Sequence, residues 1–267
     1  MILSFAQPIN LPWKVSRKFN IHSRVYKIEQ LTSTSVSTGL NVTLLVGKEE
    51  RAFDIPMDII STIPFLKFKL VYDSHKRLLI RLNALDEEAT NQFAAVFDFL
   101  ISGDFHPAVE IKDNRLQGLA TPEQYKRELL RYSTLFQIGR RLQLLDFLAA
   151  VVLKISCLRP FPNKEAAQAT ALFLSNPGCG SAAEHEFRGM LVEWLASDIN
   201  YLVQEYSTVL RDVLEKHPGF VHDAMAIANT EPNDIMTYHQ NDSLYVSVGE
   251  DYLNGCASID EFLNSCT

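Results

Sequence analysis

Few residues in this sequence stand at spacings that could support catalysis. Cys179 lies six residues before His185 and just ahead of a helix predicted to begin near Ser181, where a positive helix end could lower the pKa of its thiol. Gly178 and Gly180 flank this cysteine, but the preceding strand and the lysine of a phosphate-binding loop are missing. We therefore interpret the segment as a turn.

The histidines and the other cysteines give no stronger signal. His217 and His222 are five residues apart, and Pro218 with Gly219 would interrupt any helix between them, which does not favour a metal site. The cysteines show no two-residue spacing, which favours reduced thiols over a zinc site or a disulfide framework: Cys157, Cys179, Cys256 and Cys266. The sequence predicts no catalytic, cofactor-binding or metal-binding residue, and we expect a protein that is not an enzyme.

The elements between residues 40 and 105 follow a definite order of strand, turn, strand, short helices, strand and helix. Alternating apolar residues predict strands over residues 41–47, 53–55 and 78–82. Apolar residues at spacing three predict a short helix over residues 57–63, before Pro64. These elements are expected to form a small sheet with helices packed beside it.

A longer helix is predicted to begin after Asp86, whose side chain can cap it, and to end before Gly103. It carries the string Phe-Asp-Phe-Leu-Ile-Ser-Gly-Asp-Phe over residues 97–105. This string, with the element order before it, resembles the BTB/POZ domain, and most closely the fungal type of BTB protein. The chain departs from the family at Asn41, where Asp is usual, and at Ile101, where Tyr is usual. Another small α/β domain with the same element order is the alternative.

The second half of the chain is predicted to be helical. Thr121, Pro122 and Gln124 form a helix start, with a break near Gln143, and in the BTB family a helical pair at this place closes the domain. Asn163 is expected to cap a further helix. Ser181 and Glu184 should form a capping box for the helix that follows. An apolar stripe then continues to Lys216 and predicts two helices joined near Asp198.

The predicted fold class is α+β, with a BTB/POZ-like small sheet and cluster of helices followed by an α-helical C-terminal region. By residue number, we expect an N-terminal extension over 1–36, the BTB/POZ domain over 37–158, the helical C-terminal region over 159–227 and an acidic, largely irregular tail over 228–267.

Charge is distributed unevenly along this chain of net charge -7. No Lys or Arg follows Lys216, while the first 35 residues hold five basic residues and one acid. We expect the tail to fold back on this basic N-terminal segment or to bind a basic partner. In the alternative, a strand over residues 244–248 adds to an edge of the sheet. The acidic residues after Lys216 are Asp223, Glu231, Asp234, Asp242, Glu250, Asp251, Asp260 and Glu261.

Composition limits the functional classes. No apolar stretch approaches the roughly 18 residues that span a bilayer, and no signal-peptide pattern opens the chain, so we expect a cytoplasmic or nuclear protein without membrane contact. The basic N-terminal cluster is too sparse for a nucleic-acid footprint. Neither a cofactor nor a nucleic-acid partner is expected.

The resemblance implies a protein-interaction module that forms homodimers or pairs with another BTB protein, as a scaffold or adaptor. In the family, adaptors of cullin-type ubiquitin ligases carry an apolar residue, any residue and Glu after the second core helix, where this chain has Lys67. A cullin adaptor is therefore the alternative, together with a monomeric binding module. The apolar excess of this segment favours self-association, and the candidate interface residues are Phe65, Leu66, Phe68, Leu70, Tyr132 and Phe136.

Overall fold

A computed structural model gives the structure of this chain and describes residues 39–110, 115–176, 178 and 180–229. These residues form a mixed α+β fold with a small sheet and many helices. The strands are β1 Asn41–Val46, β2 Arg51–Pro56, β3 Val71–Tyr72, β4 Leu78–Leu82, β5 Val109–Glu110 and β6 Arg115–Leu116. The helices are α1 Met57–Thr62, α2 Pro64–Phe68, α3 Glu87–Ser102, α4 Pro122–Leu142, α5 Leu145–Ser156, α6 Asn163–Leu174, α7 Ala182–Ala196, α8 Ile199–Glu205, α9 Ser207–Lys216 and α10 Pro218–Ala228.

The main sheet has the strand order β2-β1-β4-β3. β1 pairs with β2 and β3 pairs with β4 in antiparallel fashion, while β1 and β4 run parallel. Val42, Leu44 and Val46 are fully buried, so the alternation predicted for β1 is confirmed. A second, two-stranded sheet of β5 and β6 lies between α3 and α4 in the chain.

Local signals set the ends of α3 and α4 as the sequence predicted. The Asp86 side chain accepts the Ala89 N–H at 2.8 Å, and Gly103 adopts φ 79° at the end of α3. Thr121 closes a capping box at the start of α4, and Gln143 is left-handed, with φ 55°, between α4 and α5. These four predictions are confirmed.

Three predictions in the helical region need correction. Asn163 does not cap α6 but is its first residue, because its Oδ1 accepts the Trp194 Nε1–H at 3.2 Å. Ser181 caps α7, but the Glu184 carboxylate is bonded to Arg140 and to the Gly180 amide instead of closing a box. The stripe predicted as two helices forms three, because the chain also breaks at Tyr206 between α8 and α9.

One apolar core runs from β1 to α10. α4 connects its two halves, since it packs against α3 on one side and against α6 on the other. The predicted boundary at residues 158 and 159 therefore does not divide the core of the described residues. The N-terminal extension, and the acidic tail beyond residue 229, lie outside the described residues, and so do both predictions made for the tail.

Candidate interaction surface

The six predicted interface residues divide into two groups. Leu66, Tyr132 and Phe136 are fully buried inside this chain, so the prediction that they contact a partner is corrected. Their side chains stabilise the monomer, because each packs in the same continuous core. Phe65 and Leu70 are half-buried against that core, whereas Phe68 is 92% exposed.

The short helix α2 explains why Leu66 and Phe68 have opposite environments. Pro64 occupies the first helical position, where its missing N–H costs no hydrogen bond. Successive helical residues turn by about 100°, so residues two apart point about 200° from each other. Leu66 points into the core, and Phe68 therefore points into solvent.

The strand that follows α2 exposes two more apolar side chains. Val71 is 47% exposed and Tyr72 is 73% exposed on β3, at one edge of the main sheet. The Asp73 N–H donates to the Arg77 carbonyl at 3.0 Å across the hairpin. Because alternate residues of an antiparallel pair face the partner strand, the peptide groups of Tyr72 face away from β4.

The Asp73 carboxylate fixes the turn that ends β3. It accepts the backbone N–H groups of His75 and Arg77, each at 2.8 Å, and the Arg77 Nε–H at 2.8 Å. These bonds, the Arg77 backbone bond foremost, lower the pKa of Asp73 below its usual value. The turn therefore keeps its hydrogen bonds at neutral pH and holds β3 in place.

Basic residues accompany the exposed apolar side chains along the chain. Residues 64–81 hold five Lys or Arg side chains and a single acid, Asp73; Arg77 pairs with Asp73 and Arg81 with Glu50, and the other three are Lys67, Lys69 and Lys76. Lys67 is exposed, and the Lys69 ammonium lies 5.1 Å from the centre of the half-buried Phe65 ring. We refer to the exposed side chains of this segment as the α2–β3 surface, which consists of Lys67, Phe68, Lys69, Val71 and Tyr72. As neighbours on one strand, Val71 and Tyr72 extend to opposite sides of the sheet edge.

Sequence reasoning identified Phe68 on this surface but missed Val71 and Tyr72. Two residues are too few to display an alternating pattern, so β3 gave no strand signal of its own. The turn signal of Asp73, two residues before His75, could have found it, because a short hairpin needs a strand on each side of such a turn.

Gly178 and Gly180, the neighbours of Cys179 in the sequence, lie beside the Glu184 carboxylate. The Gly180 N–H donates to Glu184 Oε2 at 2.8 Å, and a Cβ added at Gly178 would lie 2.5 Å from Glu184 Oε1. Any anion beside these two glycines would therefore meet the negative charge of Glu184. Cys179 itself lies outside the described residues.

A buried ion pair joins the two halves of the core beside these glycines. Arg140 donates to Glu184 Oε1 at 2.5 Å, to the Phe173 carbonyl at 3.0 Å and to the Asn176 carbonyl at 3.1 Å. The two charged side chains are only 5% and 9% exposed. Because the guanidinium ties α4 to the end of α6 and the start of α7, this pair is structural. No local pattern predicts this role for Arg140, since Phe173, Asn176 and Glu184 stand 33, 36 and 44 residues away.

A second buried cation, Lys154, is also held by the chain itself. Its ammonium donates to the carbonyls of Phe105 and Pro107, at 2.8 Å and 2.7 Å, and lies 2.7 Å from Asp104 Oδ1. Burial lowers the pKa of Lys154 below its usual value, and burial likewise raises the pKa of the Cys157 thiol. A raised thiol pKa leaves less of the reactive thiolate at neutral pH.

A cleft of about 580 Å³ lies between α3 and α4. Arg131 in the wall of this cleft donates hydrogen bonds to Glu128, to Gln92 and to the His106 carbonyl. Its guanidinium is therefore already hydrogen-bonded within the chain. The His222 Nδ1 atom lies 3.8 Å from the Oδ1 atom of the adjacent Asp223. The described residues contain no group of three His, Cys, Asp or Glu side chains that could hold a metal ion. Within the same residues no helix is both long and apolar enough to cross a bilayer.

No family model, curated protein or solved structure matches this chain. The BTB/POZ resemblance therefore rests on the residues and the element order alone. The α2–β3 surface, by contrast, is defined by exposure and charge and stands without that resemblance.

Proposed function

We propose that this chain is a non-catalytic protein-interaction module of the BTB/POZ type, which self-associates or pairs with another such chain through the α2–β3 surface. The observation that carries the proposal is the 92% exposure of Phe68 beside the 73% exposure of Tyr72. Aromatic side chains contribute much of the energy of protein interfaces, because they bury a large area with few rotatable bonds.

The element order supports the BTB/POZ part of the proposal. Two paired strands, two short helices, a second strand pair and a long helix follow one another from β1 to α3, as in the sequence pattern that resembles the family. The strand β3 has only two residues, so side chains rather than main-chain pairing would provide most of the contact.

Replacing Phe68 with Ser is expected to weaken self-association at least about tenfold to a hundredfold, the loss from one copy, because a symmetric dimer loses the side chain from both copies. Burying one Phe side chain contributes about 1.5–3 kcal/mol, and each 1.4 kcal/mol is a factor of ten in the dissociation constant. Sedimentation equilibrium measures that constant for the wild type and the variant. Tyr201→Ser is the matched control, because Tyr201 is a 48% exposed aromatic residue of a different element, α8. Equal dissociation constants for the wild type and Phe68→Ser would remove the surface from the proposal.

Lys67 bears on the alternative role as a cullin adaptor. This exposed lysine stands where the family motif has Glu, so a cullin surface suited to an acid would meet a positive charge. We expect a recombinant cullin N-terminal domain to bind weakly or not at all in calorimetry, and Lys67→Glu to bind better than the wild type. Submicromolar binding by the wild-type chain would support the adaptor role instead.

A further inference from the structure

The α2–β3 surface and the C-terminal segment of this chain carry opposite charges. Residues 64–81 have five basic side chains against Asp73, whereas residues 231–261 have seven acidic side chains and no Lys or Arg. The whole chain has a net charge of -7, so the positive region is local and contrasts with the rest. Oppositely charged segments of one chain attract each other at a high effective concentration.

Both segments also carry aromatic side chains. The surface exposes Phe68, Val71 and Tyr72, which a partner segment could cover. Residues 231–261 place Tyr245 and Tyr252 between their acidic residues. A segment with both features can neutralise lysines and bury aromatic rings in one contact, whereas a purely acidic segment could do only the first.

The chain beyond α10 is long enough to reach the surface. The described part ends at residue 229, and a fully extended chain spans up to about 3.5 Å per residue. Residues 230–245 can therefore span up to roughly 50 Å, and residues 230–252 up to roughly 80 Å, along an extended chain. The path over the surface of a compact domain of this size is at most about 65 Å, so length does not restrict where residues 252–261 can bind.

We infer that residues 231–261 bind the α2–β3 surface of their own chain. Carboxylates of the segment pair with Lys67, Lys69 and Lys76, and its aromatic residues cover Phe68 and Tyr72. This binding site differs from the basic N-terminal segment, which the distribution of charge along the sequence favours as the partner of the acidic tail. The contact would also compete with a second copy of the chain, a consequence that rests on the proposed function.

Carbodiimide cross-linking with mass spectrometry tests the inference on the intact wild-type chain. The reagent joins a lysine amine to a carboxylate that touches it, with loss of water and without a spacer. We expect cross-links from Lys67, Lys69 and Lys76 to the acidic residues of 231–261 at low salt. Their yield should fall at high salt, because exposed charge attraction is screened over about 8 Å at physiological ionic strength and over about 3 Å at 1 M.

Two lysines serve as internal controls. Lys126 lies 3.8 Å from Glu123 in an exposed pair and should cross-link under every condition. Lys164, exposed on α6, should give no cross-link to residues 231–261. Phe68→Ser keeps every lysine, and we expect it to lower the yield at the surface several-fold if the aromatic contact contributes as inferred.

The remaining outcomes overturn the inference. Cross-links from residues 231–261 to Lys14, Lys18 and Lys27 in place of the surface lysines would assign the segment to the N-terminal region. Equal yields at Lys164 and at the surface would indicate random contact. Cross-links between differently isotope-labelled copies would show binding between chains rather than within one. Because the cross-linking sites are mapped at a concentration where the chain is monomeric, failure of this inference is separate from failure of self-association.

Discussion

Replacing Arg140 with Met is expected to lower the free energy of unfolding by about 3–5 kcal/mol, because it leaves the buried Glu184 carboxylate without its counter-charge. The guanidinium also satisfies the Phe173 and Asn176 carbonyls near the end of α6, which a thioether cannot do. Its position within 6 Å of two Phe rings adds a cation–π contact that the variant would also lose.

Urea denaturation measures this loss, with Arg81→Met as the matched control. Arg81 pairs with Glu50 at 3.2 Å, but both side chains are about half exposed, so its replacement should cost less than about 1 kcal/mol. A double variant that also carries Glu184→Met should recover part of the stability, because the uncompensated anion is then removed. If Arg140→Met and Arg81→Met cost the same, the pair does not hold the two halves of the core together.

Replacing Phe136 with Ala is expected to destabilise the fold by about 3–5 kcal/mol, the usual cost of truncating a fully buried aromatic side chain. The Phe136 ring lies 4.9 Å from the Phe187 ring and 6.0 Å from the Phe173 ring, between centroids, so it joins α4 to α6 and α7. The cavity that the variant leaves would open at the centre of the helical part of the core.

The Phe136→Ala variant distinguishes a core role for Phe136 from the interface role that the sequence analysis predicted. An interface residue would weaken association and leave unfolding unchanged, whereas a core residue lowers the unfolding midpoint. Phe68→Ala is the opposite case, since a 92% exposed side chain should change the free energy of unfolding by less than about 0.5 kcal/mol. A stable Phe136→Ala protein with impaired association would restore the original interpretation.

Local signals made much of the fold predictable. Alternation at Val42, Leu44 and Val46 depends only on the pleat of a strand, and the caps at Asp86 and Thr121 depend on residues three positions away. Glu184 did not follow its local signal. Its carboxylate forms a charge-assisted bond to Arg140, 44 residues away, in place of the capping box, and no local pattern reveals that partner.

The candidate surface was predictable only in part for the same reason. An apolar excess around Phe65 to Leu70 indicates that some side chain is left exposed, but the core decides which one. Leu66 is taken by the core and Phe68 is not, because α2 turns them to opposite sides. Tyr132 was among the predicted interface residues, yet it is fully buried in the chain's own core.

The mass of the intact chain in solution tests the central claim most directly. Light scattering at tens of micromolar and at high salt, where the attraction of the acidic segment is screened, should give twice the monomer mass of 30.2 kDa. Phe68→Ser should shift that mass toward the monomer under the same conditions. A mass of 30.2 kDa for the folded wild-type chain would contradict self-association and favour a monomeric binding module.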